Sequence, residues 1–221
     1  MHGTLSDKNA SKSLFFEQLC RETGQAYCAF DFTGHGESDG IYTDGTIGVW
    51  LDDALTVIDD VIKAPVVLIG SSMGGWIMLL AAMRRKCVRG CLGLAAAPDF
   101  TVGLWESFSE KQKQSVLSDG VVYIPNGWTP EGDPWTKALF DDAEKYLVLN
   151  GKISVSCPMI LIQGDKDDCV AVDTPFKIKD VVLSDDVTVI VLKNAGHRLS
   201  EPRELETAGR ALSLLLKKSA G

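Results

Sequence analysis

Ser72 stands in Gly70-Ser71-Ser72-Met73-Gly74, between the apolar runs Pro65–Ile69 and Trp76–Met83. The first run reads as a buried strand and the second as a buried helix. A serine at so sharp a strand-to-helix turn takes a strained backbone, and glycines at 70 and 74 let neighbouring main chain close on it. The turn presents the hydroxyl to a substrate, and the helix start places the Met73 N–H beside it. The chemistry is nucleophilic attack by a serine oxygen, and that needs a base and a group to orient the base. The chain holds three histidines. His197, in Asn194-Ala195-Gly196-His197-Arg198, follows the last strand-like run and is the expected base. His35 and His2 lie in earlier loops. The acid is expected from Gly164-Asp165-Lys166-Asp167-Asp168-Cys169-Val170, where three aspartates compete. Serine, then acid, then histidine is the order that suits a nucleophile on this kind of turn. An oxyanion needs two donors. Met73 N–H is one, and the loop His2-Gly3-Thr4-Leu5 offers the other, Thr4 before Leu5. His2 then braces that loop.

The elements that must position these groups alternate. Strand candidates are 26–32, 65–71, 91–96, 158–163 and 187–192. Helix candidates are 11–23, 48–63, 73–86, 135–150, 174–183 and 202–218. Short apolar strands alternating with helices imply an α/β fold, with a mostly parallel sheet covered on both faces. Ligands of such sheets bind beyond the carboxyl ends of the strands, where Ser72, the acid loop and His197 all fall. Residues 98–134 break the rhythm. They contain Phe100, Trp105, Phe108 and Trp128, a charged helical stretch over 106–117, and turn signals at Pro125-Asn126-Gly127 and Pro130-Glu131-Gly132. A small cap is expected there, with Trp105 and Trp128 lining an acyl channel. Trp76 is assigned to core packing.

The bulk numbers narrow the partners. A chain of 221 residues with 45 % hydrophobic and 24 % charged side chains suits one domain with a sizeable core. A net charge of −8 argues against nucleic acid. Arg84-Arg85-Lys86 reads as cations closing a helix. No apolar run reaches the length of about 18 residues that a membrane span needs. The six cysteines, at 20, 28, 87, 91, 157 and 169, lack Cys-x-x-Cys spacing. They read as buried free thiols of a reducing compartment, and no metal or organic cofactor is implied.

Five stretches together resemble the α/β-hydrolase fold family, in its order and over nearly the whole chain. They are His2-Gly3, Asp31-Phe32-Thr33-Gly34-His35-Gly36-Glu37-Ser38, Gly70–Gly74, Gly164–Val170 and Gly196-His197. The resemblance implies an oxyanion loop at His2-Gly3 and an Asp-x-x-Gly-x-Gly-x-Ser turn in which His35 is structural. It implies a Gly-x-x-Asp-x-x-Val acid loop that selects Asp167. It also implies strands ahead of the His-Gly loop that would precede Met1; without them an apolar sheet edge is exposed and the oxyanion loop loosened. A narrower resemblance, to the abhydrolase-domain-containing protein ten subfamily and its bacterial relatives, rests on Ser71–Trp76, Lys166-Asp167-Asp168, His197-Arg198, and Ser6-Asp7 with Lys12 and Cys20. It implies cleavage of acyl-protein thioesters and of acyl glucuronides. Localisation is expected to be intracellular: cytoplasmic, or mitochondrial if a longer N-terminus carries a transit peptide. Two rival readings stay open. One is a peptidase of the prolyl-oligopeptidase type, which a comparison of amide with thioester substrates separates. The other is a catalytically silent binding protein, which a serine-directed probe separates.

Overall fold

A computed structural model describes residues 1–126 and 130–219. The chain runs through α1 (Ser11–Thr23), α2 (Ile47–Thr56), β1 (Val66–Ser71), α3 (Met73–Arg84) and β2 (Val88–Leu94). It continues through α4 (Phe100–Ser107), α5 (Glu110–Asp119), the hairpin β3 (Val121–Ile124) and β4 (Asp133–Thr136), and α6 (Lys137–Ala143). It ends with β5 (Met159–Gly164), α7 (Thr174–Val181), β6 (Val187–Leu192) and α8 (Pro202–Ser219). The main sheet has the order β1-β2-β5-β6 and is parallel throughout.

Alternating side chains divide the interior. In β5, Met159 and Leu161 join one core with Trp50, Met78 and Ile178. Ile160 and Ile162 join the other with Phe16, Leu212 and Leu215. Both faces of the strand are therefore buried, which is why its sequence is apolar without interruption. The second core is closed by α8, whose Ala208, Ala211, Leu212 and Leu215 recur at helical spacing on one face. Arg84 donates to the Leu80 carbonyl at 3.0 Å and closes α3.

Several sequence expectations need correction. Residues 26–32 form no strand: a ladder belongs to two segments, and no strand flanks this one among the described residues. The second sheet strand starts earlier than expected, at Val88, and ends at Leu94 because Ala95 turns to φ 46°. The helix expected over 135–150 starts late. Trp135 pairs with Val122 in the hairpin, and the Thr136 hydroxyl accepts from Leu139 N at 3.1 Å to start α6. The stretch 48–63 changes pitch: α2 passes into a π-helix at Val57–Ile62, which stops where Lys63 turns left-handed. The helix expected over 106–117 is α5, set by a capping box between Ser109 and Gln112.

The excursion between β2 and β5 carries a small core of its own, Phe108, Val116 and Val122. Trp105 packs there, against Phe108 and Phe140, and so does not line the cleft. Trp128 lies outside the described residues. Trp76 is fully buried as expected, its indole N–H donating to the Tyr146 carbonyl at 3.1 Å.

Between residues 26–30 and β1 runs a trough walled by Tyr27, Phe30, Val61 and Val66. It joins the cleft above Ser72 in one cavity of about 2090 Å³.

Candidate active site

The turn between β1 and α3 holds Ser72 at φ 53°, ψ −123°, a conformation few serines adopt. Three backbone hydrogen bonds over-determine it. Ser72 N–H donates to the Leu94 carbonyl at 3.0 Å, and the Ser72 carbonyl accepts from Gly75 at 2.8 Å and Ala97 at 3.0 Å. The glycines are required by crowding. A Cβ on Gly70 would lie 2.3 Å from the Gly74 carbonyl oxygen, and one on Gly74 would lie 2.4 Å from that of His2.

The structure brings Ser72, His197 and Asp167 together. Ser72 Oγ lies 3.0 Å from His197 Nε2. His197 Nδ1 lies 2.9 Å from Asp167 Oδ2 and 3.1 Å from Oδ1. The Asp167 side chain is fully buried, and burial alone would raise its pKa. His197 and the N–H groups of Val170 and Cys169 outweigh that and hold it below the usual carboxylate range. The other two aspartates have different partners. Asp165 accepts from Asn194 N–H at 2.5 Å and so pins the histidine loop. Asp168 is exposed and faces Cys169 Sγ at 3.4 Å.

Gln163 is the residue that sequence reasoning passed over. It is the penultimate residue of β5, is 1 % exposed, and donates through Nε2 to Asp167 Oδ2 at 2.7 Å. A polar side chain at the carboxyl end of an otherwise apolar strand was the available signal. Lys12, one of the residues that carry the narrower resemblance, donates from its ammonium to the Arg198 carbonyl, beside His197.

On the other side of Ser72 lies the loop from His2 to Lys8. The position of a Cβ on Gly3 would be 3.0 Å from Ser72 Cβ, so this main chain abuts the serine. Thr4 lines the cleft, and Leu5 turns to φ 52°. Met73 begins α3, and its N–H has no acceptor inside the helix. His2 braces the loop: Nδ1 donates to the Gly3 carbonyl at 2.8 Å, and Nε2 accepts from Phe32 N–H at 3.2 Å. Burial lowers its pKa to about 4, so it is neutral at pH 7. Asp31 holds the far end. Its carboxylate accepts from Lys8 N–H at 2.6 Å, Lys8 Nζ at 2.9 Å and Glu37 N–H at 2.9 Å. His35 packs against His2, Tyr42 and Trp50 and serves the fold.

Phe100, Val102, Leu104, Tyr123, Trp135 and Leu149 supply apolar lining to the same cleft. All six cysteines are free, but Cys28 and Cys169 are exposed where burial was expected. Cys28 faces the trough and Cys169 the mouth of the cleft. Partial desolvation, with Asp168 and Asp167 nearby, pushes the Cys169 thiol up to about 11, so it is protonated at pH 7. Among the described residues no helix is long and apolar enough to cross a membrane.

A strand-turn-helix serine beside a histidine and a buried acid, on a parallel sheet, defines a protein class, and the comparisons agree. The chain belongs to the alpha/beta hydrolase family, whose pattern matches residues 2–208. The human palmitoyl-protein thioesterase ABHD10, mitochondrial, is 37 % identical over 98 % of this chain and 71 % of its own length. The bovine protein of the same name is 35 % identical over the same shares. The solved structure of mouse alpha/beta hydrolase domain-containing protein 10 superposes with a TM-score of 0.91 at 32 % identity, covering 99 % of this chain and 88 % of the mouse chain.

Proposed function

We propose that this protein is a serine hydrolase that cleaves carboxylic esters or thioesters through an acyl-enzyme. The observation that supports it most is the hydrogen-bonded chain from Ser72 Oγ to His197 at 3.0 Å and on to Asp167 at 2.9 Å. His197 Nε2 takes the Ser72 proton as Oγ bonds to the acyl carbon. The oxyanion that forms is held by the N–H groups of Met73 and Thr4. As it collapses, the bond to the leaving oxygen or sulfur breaks and His197 returns the proton to the leaving group. Water, deprotonated by the same imidazole, then releases the carboxylic acid and restores Ser72. Asp167 keeps the imidazole in the tautomer with a lone pair facing Ser72. Residues 98–134 act as a cap, and its Phe100, Val102 and Leu104, with Trp135 and Leu149, take the acyl chain.

Acyl-protein thioesters are the preferred substrate class, because the relatives at 35 % and 37 % identity are named palmitoyl-protein thioesterases. Acyl glucuronides are the second class.

A fluorophosphonate probe read by intact mass tests the nucleophile. One adduct on the wild type and none on Ser72→Ala is expected; equal labelling of both removes Ser72 from the mechanism. Hydrolysis rates on matched thioester, oxygen ester and amide substrates test the bond. Turnover of the amide alone would favour the peptidase.

A further inference from the structure

The acid loop carries chemistry that hydrolysis leaves unused. Cys169 follows Asp167 by two residues, and its backbone N–H already donates to that carboxylate at 2.9 Å. Its thiol is exposed and, with His197, lines the open cleft. A nitrogen of His197, an oxygen of Asp167 and the sulfur of Cys169 all lie within 4.8 Å of one another. Asp168 Oδ1 stands 3.4 Å from the same sulfur. Spacing along the chain hides this group, because Cys169 and His197 meet only through the fold.

Nitrogen, sulfur and carboxylate oxygen are the donors of a tetrahedral zinc site, whose ligand atoms sit roughly 3.5 Å apart at bond lengths of about 2.0–2.3 Å. The three donors here span at most 4.8 Å, so binding requires them to close by about 1 Å. A thiolate disfavours magnesium and calcium, which take oxygen ligands. We propose that Asp167, Cys169 and His197 form a zinc(II) site that switches the hydrolase off when filled. Binding releases the thiol proton to solvent. A neutral imidazole bound to metal through one nitrogen carries its proton on the other. Whichever nitrogen binds, no lone pair then faces Ser72, and the serine proton has nowhere to go.

The loss of activity rests on the triad reading above; metal uptake does not. Zinc chloride titrated into the wild type is expected to abolish ester hydrolysis, with full recovery on adding a chelator. Cys169→Ala should need on the order of tenfold more zinc or above, since loss of even an outer-shell partner costs about ten- to a hundredfold in metal affinity. Cys28→Ala should behave as the wild type. Cobalt(II) supplies a readout independent of catalysis. It should give a thiolate charge-transfer band in the wild type and in Ser72→Ala, and none in Cys169→Ala. Equal zinc inhibition of wild type and Cys169→Ala, or a cobalt spectrum without a thiolate band, overturns the site. A cobalt band dependent on Cys169, in an enzyme whose hydrolysis survives Ser72→Ala, would leave the site standing and overturn the triad instead.

Discussion

The two flanks of Ser72 are built differently. On the acid side, His197 rests on a buried carboxylate that also accepts from Gln163 and from the N–H groups of Cys169 and Val170. That side springs from β5 and β6, which lie next to each other in the sheet. On the oxyanion side, Gly3 and Thr4 belong to a loop held by His2, Asp31 and Lys8, and by a pair of bonds between Met1 and β1. Beside that loop runs the trough. In the proposed mechanism the base stands on loops that follow two paired strands, and the oxyanion donor on a loop tied by side chains and by two main-chain bonds to β1.

Substitutions can break that contrast. The largest effect is expected from Asp167→Asn, which leaves the fold in place and reverses the imidazole tautomer. Turnover should fall about ten-thousandfold, as measured by steady-state kinetics. An effect under tenfold would mean that the acid side does not control the base. Gly3→Val should come next. It pushes the loop off Ser72, and losing an oxyanion donor costs on the order of a hundredfold or more in kcat. Unchanged kcat would show that the second donor lies elsewhere, with Leu5 the first position to examine. Gln163→Leu should cost about tenfold, in line with loss of one hydrogen bond to a charged group. It also raises the pKa of Asp167, so the acid limb of the pH–rate profile should move to higher pH. A purely structural role for Gln163 would lower the melting temperature without moving that limb.

The smallest effect separates the flanks by pH. His2 has a folded pKa of about 4 against an ordinary 6.5. Between those values the unfolded chain binds a proton that the folded chain does not. Stability is fully present above pH 6.5 and falls as the pH drops toward 4, by on the order of 1 kcal/mol per pH unit. Asp167 and Asp31 have lowered pKa values, so their contribution persists until the pH falls below the ordinary carboxylate value of 3.8. Mild acid should loosen the oxyanion side first. Hydrogen exchange at pH 5 should show faster opening of residues 3–8 than of residues 163–170, and His2→Asn should flatten the slope of melting temperature with pH.

Legibility in the sequence followed the range of the interaction concerned. Ser72 and its glycines were readable because the constraint is local: the turn forces the residue types. Asp167 was one of three aspartates until a motif selected it, and the structure shows why the others differ, with Asp165 holding the next loop and Asp168 facing outward. Gln163 was passed over although its partner Asp167 is four residues away, because spacing does not show that the acid loop turns back onto the end of β5. Residues 26–32 looked like a strand because β propensity is local, while pairing is not. Trp105 and Trp135 are alike in composition, yet only Trp135 reaches the cleft. Which side of a small core a tryptophan faces is decided by tertiary packing.

The strand order leaves β1 at the border of the sheet, bonded to Met1 only near its carboxyl end. A border strand is a template, since its free main-chain groups match those of any extended peptide. Among the described residues, the peptide groups at Val66–Leu68 are thus where a further extended segment would continue the sheet.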